Sequence, residues 1–155
     1  MDGVRVQTEP FDAAAEVAAL RAGNPRIGAV VSFLGLMRDL NEGEPVASMT
    51  LEHYPGMTEQ SLAAIVAEAR ARWDLEGVRV VHRVGTLRPE EPIVLVAVAS
   101  RHRGEAFRAC EFVIDWLKTR APLWKKEATA GGERWVVHRA ADVEAEARWD
   151  ETPPA

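Results

Sequence analysis

The chain has 155 residues, 47% of them hydrophobic and 28% charged, with a net charge of -5. That length is enough for one well-cored domain, and the acidic balance argues against general nucleic-acid binding. The single cysteine, Cys110, excludes an intrachain disulfide and fits a reducing compartment. The N-terminus, MDGVRVQTEPFD, lacks the basic and apolar regions of a signal peptide. The longest apolar runs fall far short of the roughly 20 residues a membrane span needs, so the expected location is cytoplasmic.

In chain order, Val4 to Thr8 alternates and predicts a short strand. Phe11 to Ala22 follows as a helix with Asp12 as candidate N-cap. Ile27 to Gly35 (IGAVVSFLG) is apolar, β-branched and bounded by glycines, which predicts a largely buried strand. Asn41 to Pro45 reads as a polar turn, and Val46 to Tyr54 as another strand. Met57 to Trp73 has apolar residues at 57, 62, 65, 66, 69 and 73, the spacing of an amphipathic helix. Val78 to Val84 and Ile93 to Ser100 are strands joined across GTLRPEEP. Glu105 to Arg120 is the third long helix, closed by Pro122, and Arg134 to Arg139 is a last strand. Several strand pairs have connections too short for a parallel crossover, so the fold class is α+β with a mostly antiparallel sheet and about three helices. Residues 1–141 are expected to form one catalytic domain, and 142–155 an acidic, Pro-rich tail that frays.

Charge is distributed unevenly. Residues 142–155 carry a net of -4, whereas Arg101 to Glu127 carries seven Lys/Arg against four Asp/Glu. The densest part is LKTRAPLWKKE, Leu117 to Glu127. On a helical wheel Ala106, Phe107, Cys110, Val113, Ile114 and Leu117 form one apolar stripe, and Lys118 falls about 20° from Phe107 at its edge. A lysine there either snorkels to water or is held partly desolvated as a candidate nucleophile or general base. Beyond Pro122 the chain is extended, so only one of Lys125 and Lys126 faces the same cavity as Lys118. Spacing alone does not choose between them.

SRHRGEAF places His102 and Arg103 between a strand end and a helix N-terminus, a position that suits either an anion or an ordinary charged loop. Arg38 follows the apolar strand in GLMRD, at the mouth of a cleft or simply on the surface. The four histidines show no metal-like spacing, and neither a P-loop nor G-x-G-x-x-G is present. Cys110, mid-stripe, reads as core. Phe112 and Trp116 lie opposite the stripe, as a second buried face at a subunit interface or under a loop.

The runs FLGLMRD, TLEHYPGMTEQSL, VVHRVG, SRHRGEAF, DWLKTRAPLWKKE and GGERWV, in order from about Gly28 to Arg139, resemble the large, catalytic subunit of molybdopterin synthase, the MoaE family. The resemblance implies an α/β-hammerhead fold and a homodimer at the core of a heterotetramer. The partner it implies is a small ubiquitin-like sulfur-carrier subunit whose Gly-Gly C-terminus bears a thiocarboxylate. Sulfur from that tail passes to cyclic pyranopterin monophosphate, making the dithiolene of molybdopterin, with no metal or organic cofactor. Position by position it implies Lys118 and Lys125 as catalytic. It implies Phe33, Arg38, His102, Arg103, Lys126, Glu127 and Arg139 as substrate-binding. Leu36 departs from the family, which often has lysine there. Two other readings compete: a non-catalytic module that only docks a ubiquitin-like tail, and single-strand nucleic-acid binding, which the acidic balance and lack of an aromatic platform disfavour.

Overall fold

The computed structural model describes residues 2–136 and 140–150. Its first sheet has the strand order β1 (Gly3–Gln7), β5 (Gly77–Arg83), β7 (Pro92–Ser100), β2 (Ala29–Leu36). Only the β1–β5 pair is parallel; β5–β7 and β7–β2 are antiparallel. Strand β7 is central, and its unbroken apolar run PIVLVAVAS follows from burial on both faces. Val94, Val96 and Val98 form the face that packs beneath α2 (Met57–Arg72) and α3 (Arg103–Arg120). The small Ala97 and Ala99 make room on the other face for Leu20 of α1 (Ala13–Arg21).

The second sheet is built around β4 (Glu44–His53). It pairs with β3 (Leu40–Asn41), β6 (Gly85–Leu87) and β8 (Leu123–Thr129), and β8 pairs with β9 (Gly132–Val136). Met37, Val46, Met49, Leu51, Val84 and Leu87 form its own apolar core. The α+β class and the mostly antiparallel pairing are as expected from the sequence. Two short strands, β3 and β6, were not predicted. The polar turn at 41–45 is a tight hairpin in which Glu42 and Gly43 both take positive φ, 52° and 80°.

Local signals explain the helix ends. The Asp12 carboxylate accepts from the Ala15 N–H at 3.1 Å, as the predicted N-cap. Buried Thr58, in the first turn of α2, accepts from the Tyr54 N–H at 3.1 Å and donates to the Pro122 carbonyl at 3.0 Å. That second bond ties the start of α2 to the turn after α3.

Two expectations for α3 change. Phe107 is 61% exposed, whereas Phe112 is fully buried with Ala109 and Val113. The buried arc is rotated towards Phe112 because α2 packs on that flank. Among the described residues there is also a fourth helix, α4 (Ala140–Ala147), where fraying was expected from 142. The segment is held: Trp149 stacks edge-on against Trp73 and Phe112, each at 5.6 Å, and its indole N–H donates to Asp115 at 2.7 Å. Phe112 and Trp116 are thus the second buried face, covered from within the chain.

Candidate active site

The end of α3, the turn at Pro122 and strand β8 enclose a cavity of about 970 Å³ together with the end of β2 and parts of β3, β4, β5 and α4. Lys118 and Lys125 both line it, as do Arg38, Glu127 and the departure from the family pattern, Leu36. The volume is within the usual range for small-molecule sites.

Each cation is placed by a distinct local cause. Lys118 lies beyond the rotated buried arc of α3, so it is exposed on the cavity wall rather than sealed in the core. Of the two sequence alternatives, the snorkelling one describes it. Helix α3 stops because Pro122 offers no N–H; Ala121 closes the last turn through its N–H to the Leu117 carbonyl at 3.4 Å. Strand β8 then pairs Lys125 with Leu51 and Lys126 with Thr50. Strand alternation sends Lys125 and Glu127 to the cavity side and Lys126 to the other. There Lys126 meets Glu133 at 3.1 Å and the Trp135 ring at 5.1 Å.

Glu127 is 4% exposed, and its oxygens are occupied. Asn41 Nδ2 donates to both, at 3.0 and 3.1 Å, and Arg134 donates to one through Nε and an Nη, at 3.3 and 3.2 Å. Arg134 also meets Glu44 at 2.6 Å. This carboxylate clamps β3, β8 and β9 together; it frames the cavity instead of offering a group to an anion. Arg120, though at the cavity rim, is committed to α4. Its guanidinium lies 3.5 Å from the Trp116 ring centroid and donates to Glu146 at 2.6 Å.

The other expected site residues lie elsewhere. His102 and Arg103 are exposed at the N-terminal end of α3, roughly 22 Å from Lys118 at about 1.5 Å per residue. Within one chain the fold does not bring them to the cavity. Phe33 is 37% exposed on edge strand β2, outside the cavity lining. Its ring lies across Gly35, where a Cβ would come within 3.2 Å of Phe33 and 2.9 Å of Val94. Only glycine allows that close packing. Arg139 lies outside the described residues.

One cavity residue was missed by sequence reasoning. His82, on β5, is 4% exposed and lines the wall. Burial pushes its imidazole down to about 4, and the nearby charges of Lys118 and His53 push in the same direction. The signal was a histidine continuing an otherwise aliphatic row, Val78 and Val80, on the face of β5 that meets α3. Cys110 is buried core, its thiol pushed up to about 12 by desolvation. Among the described residues, no group of three His, Cys, Asp or Glu stands where it could hold a metal ion, and no helix is long and apolar enough to cross a membrane.

Chemically, the cavity joins three cations on separate elements with a neutral imidazole, over walls of Met49, Leu51, Ile93 and Leu117. Such a site suits an anionic ligand with an apolar or ring portion.

Comparison with known proteins gives the same family. Residues 6–120 match the family model described as "MoaE protein". The chain is 63% identical over 149 residues to the molybdopterin synthase catalytic subunit of Ralstonia nicotianae, covering 96% of this chain and 85% of that one. Its fold superposes on a molybdopterin biosynthesis MoaE protein from Burkholderia ambifaria with a TM-score of 0.83, at 58% identity over 96% of this chain and 98% of that one. On a molybdopterin synthase from Staphylococcus aureus the TM-score is 0.80, at 35% identity over 86% and 96% of the two chains. The chain belongs to the MoaE family.

Proposed function

We propose that this chain is the large, catalytic subunit of a molybdopterin synthase. It moves sulfur from the C-terminal thiocarboxylate of a small ubiquitin-like subunit to cyclic pyranopterin monophosphate, in the cytoplasm. The observation that carries the reading is the convergence of Lys118, Lys125 and Arg38 on one cavity, in a chain 63% identical to a molybdopterin synthase catalytic subunit. Donor tail and pterin phosphate are both anionic, and bringing them together requires fixed positive charge. Lys125 and Arg38 orient the anions. Lys118, on a rigid helix end, exchanges the proton as sulfur replaces oxygen on the pterin side chain.

The assembly is a homodimer of large subunits, each carrying one small subunit. Edge strand β2 exposes Phe33, Leu34 and Leu36 (37%, 41% and 50%), an apolar face that supports self-association. His102 and Arg103 serve a cavity only across such an interface, since their own is roughly 22 Å away by the helix rise. Single-turnover mass spectrometry with a thiocarboxylated partner and the pterin tests the reaction. Lys118→Ala should slow sulfur transfer by about 10²-fold or more. A wild-type rate in that variant would leave only the alternative, a module that docks the tail without catalysis.

A further inference from the structure

Strand β5 sends Val78, Val80 and His82 to the same side, towards α3, with Val94 of β7 and Val6 of β1 as the strand neighbours of His82. Val78, Val80 and Val94 are wholly buried, so an aliphatic residue is what the packing at 82 calls for. The imidazole instead spends one nitrogen locally: Nδ1 lies 2.7 Å from the Arg83 carbonyl oxygen. A carbonyl only accepts, so Nδ1 carries the proton and Nε2 is left bare, able only to accept while the ring is neutral. His82 forms part of the cavity wall together with Lys118 of the last turn of α3.

The charged groups acting on the ring are Lys118 from α3 and His53 from the end of β4. Its chain neighbour Arg83 turns to the opposite face of β5, donating to the Thr8 carbonyl at 2.9 Å and pairing with Glu91 at 3.1 Å. Burial and those neighbouring charges keep the imidazole neutral down to about pH 4. It therefore adds no positive charge to a cavity that already holds Lys118, Lys125 and Arg38.

We propose that His82 is a positioning residue for Lys118, with its bare Nε2 accepting from the lysine ammonium and fixing the amine against the cavity wall. Helix α3 brings Lys118 to the cavity, but a four-carbon exposed side chain has many rotamers. A fixed acceptor behind it selects those in which the amine faces the reacting atoms. The inference rests on the catalytic reading of Lys118 for its purpose, while the contact itself can be tested without substrate or partner.

His82→Asn retains a donor for the Arg83 carbonyl and removes the atom at the Nε2 position; His82→Gln reaches that position again. Competitive acetylation, read by mass spectrometry across pH, reports the titration of each lysine. An acceptor stabilises the ammonium, so His82→Asn should lower the Lys118 midpoint by about half a pH unit or more and leave Lys125 in place. His82→Gln should restore it. Single-turnover sulfur transfer should fall about tenfold in His82→Asn, with partner affinity unchanged and recovery in His82→Gln. A Lys118 midpoint unmoved by His82→Asn overturns the proposal. Histidine ¹⁵N NMR of the unsubstituted chain gives a check free of folding effects at position 82. The proposal requires protonated Nδ1, bare Nε2, and an Nε2 resonance that moves in Lys118→Ala. A protonated Nε2, or a resonance that stays put, overturns it. These readouts can fail while sulfur transfer stands, and a Lys118→Ala chain with full activity would fail the functional reading alone.

Discussion

The two ends of α3 carry basic residues in opposite settings. At the C-terminal end Lys118 lines a cavity that its own chain encloses, with Lys125 delivered by the next strand. At the N-terminal end His102 and Arg103 stand exposed outside that cavity, although the family resemblance assigns them to the same site. The difference shows that proximity to one helix in sequence is not proximity to one site in space. A helix of 18 residues separates its ends by more than the width of a substrate pocket. One end is complete within a chain, and the other makes sense only against a second copy.

Mixing experiments test that comparison most sharply. Lys118→Ala and Arg103→Ala dimers should each be nearly inactive, yet subunit exchange between them should restore about a quarter of wild-type activity. Half the mixed dimers are hybrids, and each hybrid holds one intact site. If exchange is verified by native mass spectrometry and no activity returns, the two ends do not share a site.

Stability measurements probe the frame of the C-terminal end. Glu127→Ala leaves Asn41 and Arg134 without their shared acceptor and should cost about 2 kcal/mol in urea unfolding. His82 contributes a pH dependence of determinate sign. Its folded value of about 4 lies below the ordinary 6.5, so the unfolded chain takes up the proton first as pH falls. Its contribution is complete above about 6.5 and lost progressively towards about 4, and His82→Asn should flatten that part of the stability–pH curve. The smallest effect is expected from Lys126→Ala. Facing away from the cavity, it should change stability by less than about 0.5 kcal/mol and leave single-turnover transfer within about twofold.

The sequence made legible what depends on strong local pattern. The apolar run of β7, the N-cap at Asp12 and the helix stop at Pro122 each follow from a few neighbouring residues. Lys118 could be placed at the edge of a helical face, and one of two adjacent lysines could be assigned to its cavity. The rest depends on partners distant in the chain. Strand β3 has two residues and β6 has three; both exist because β4 offers an edge. Phe112 is core, and Phe107 is not, because α2 and Trp149 cover one flank of α3. Helix α4 carried a signal in its Ala/Glu run, AADVEAEA, which favours helix strongly. Net acidity and the terminal prolines drew attention away from it. The role of Glu127 was hidden by its neighbours in sequence, since its true partners are Asn41 and Arg134.

The tandem lysines have a further consequence. Strand alternation means that a one-residue slip of β8 would exchange Lys125 for Lys126 and still present a lysine to the cavity. By itself, then, the pair is a degenerate symbol that cannot report whether the strand is correctly threaded. Glu127 removes the degeneracy. In the native register its carboxylate meets Asn41 and Arg134; one step out, it would be turned to the opposite face and those donors stranded. It works as a parity check on the strand, penalising a misreading that the lysines alone would let pass.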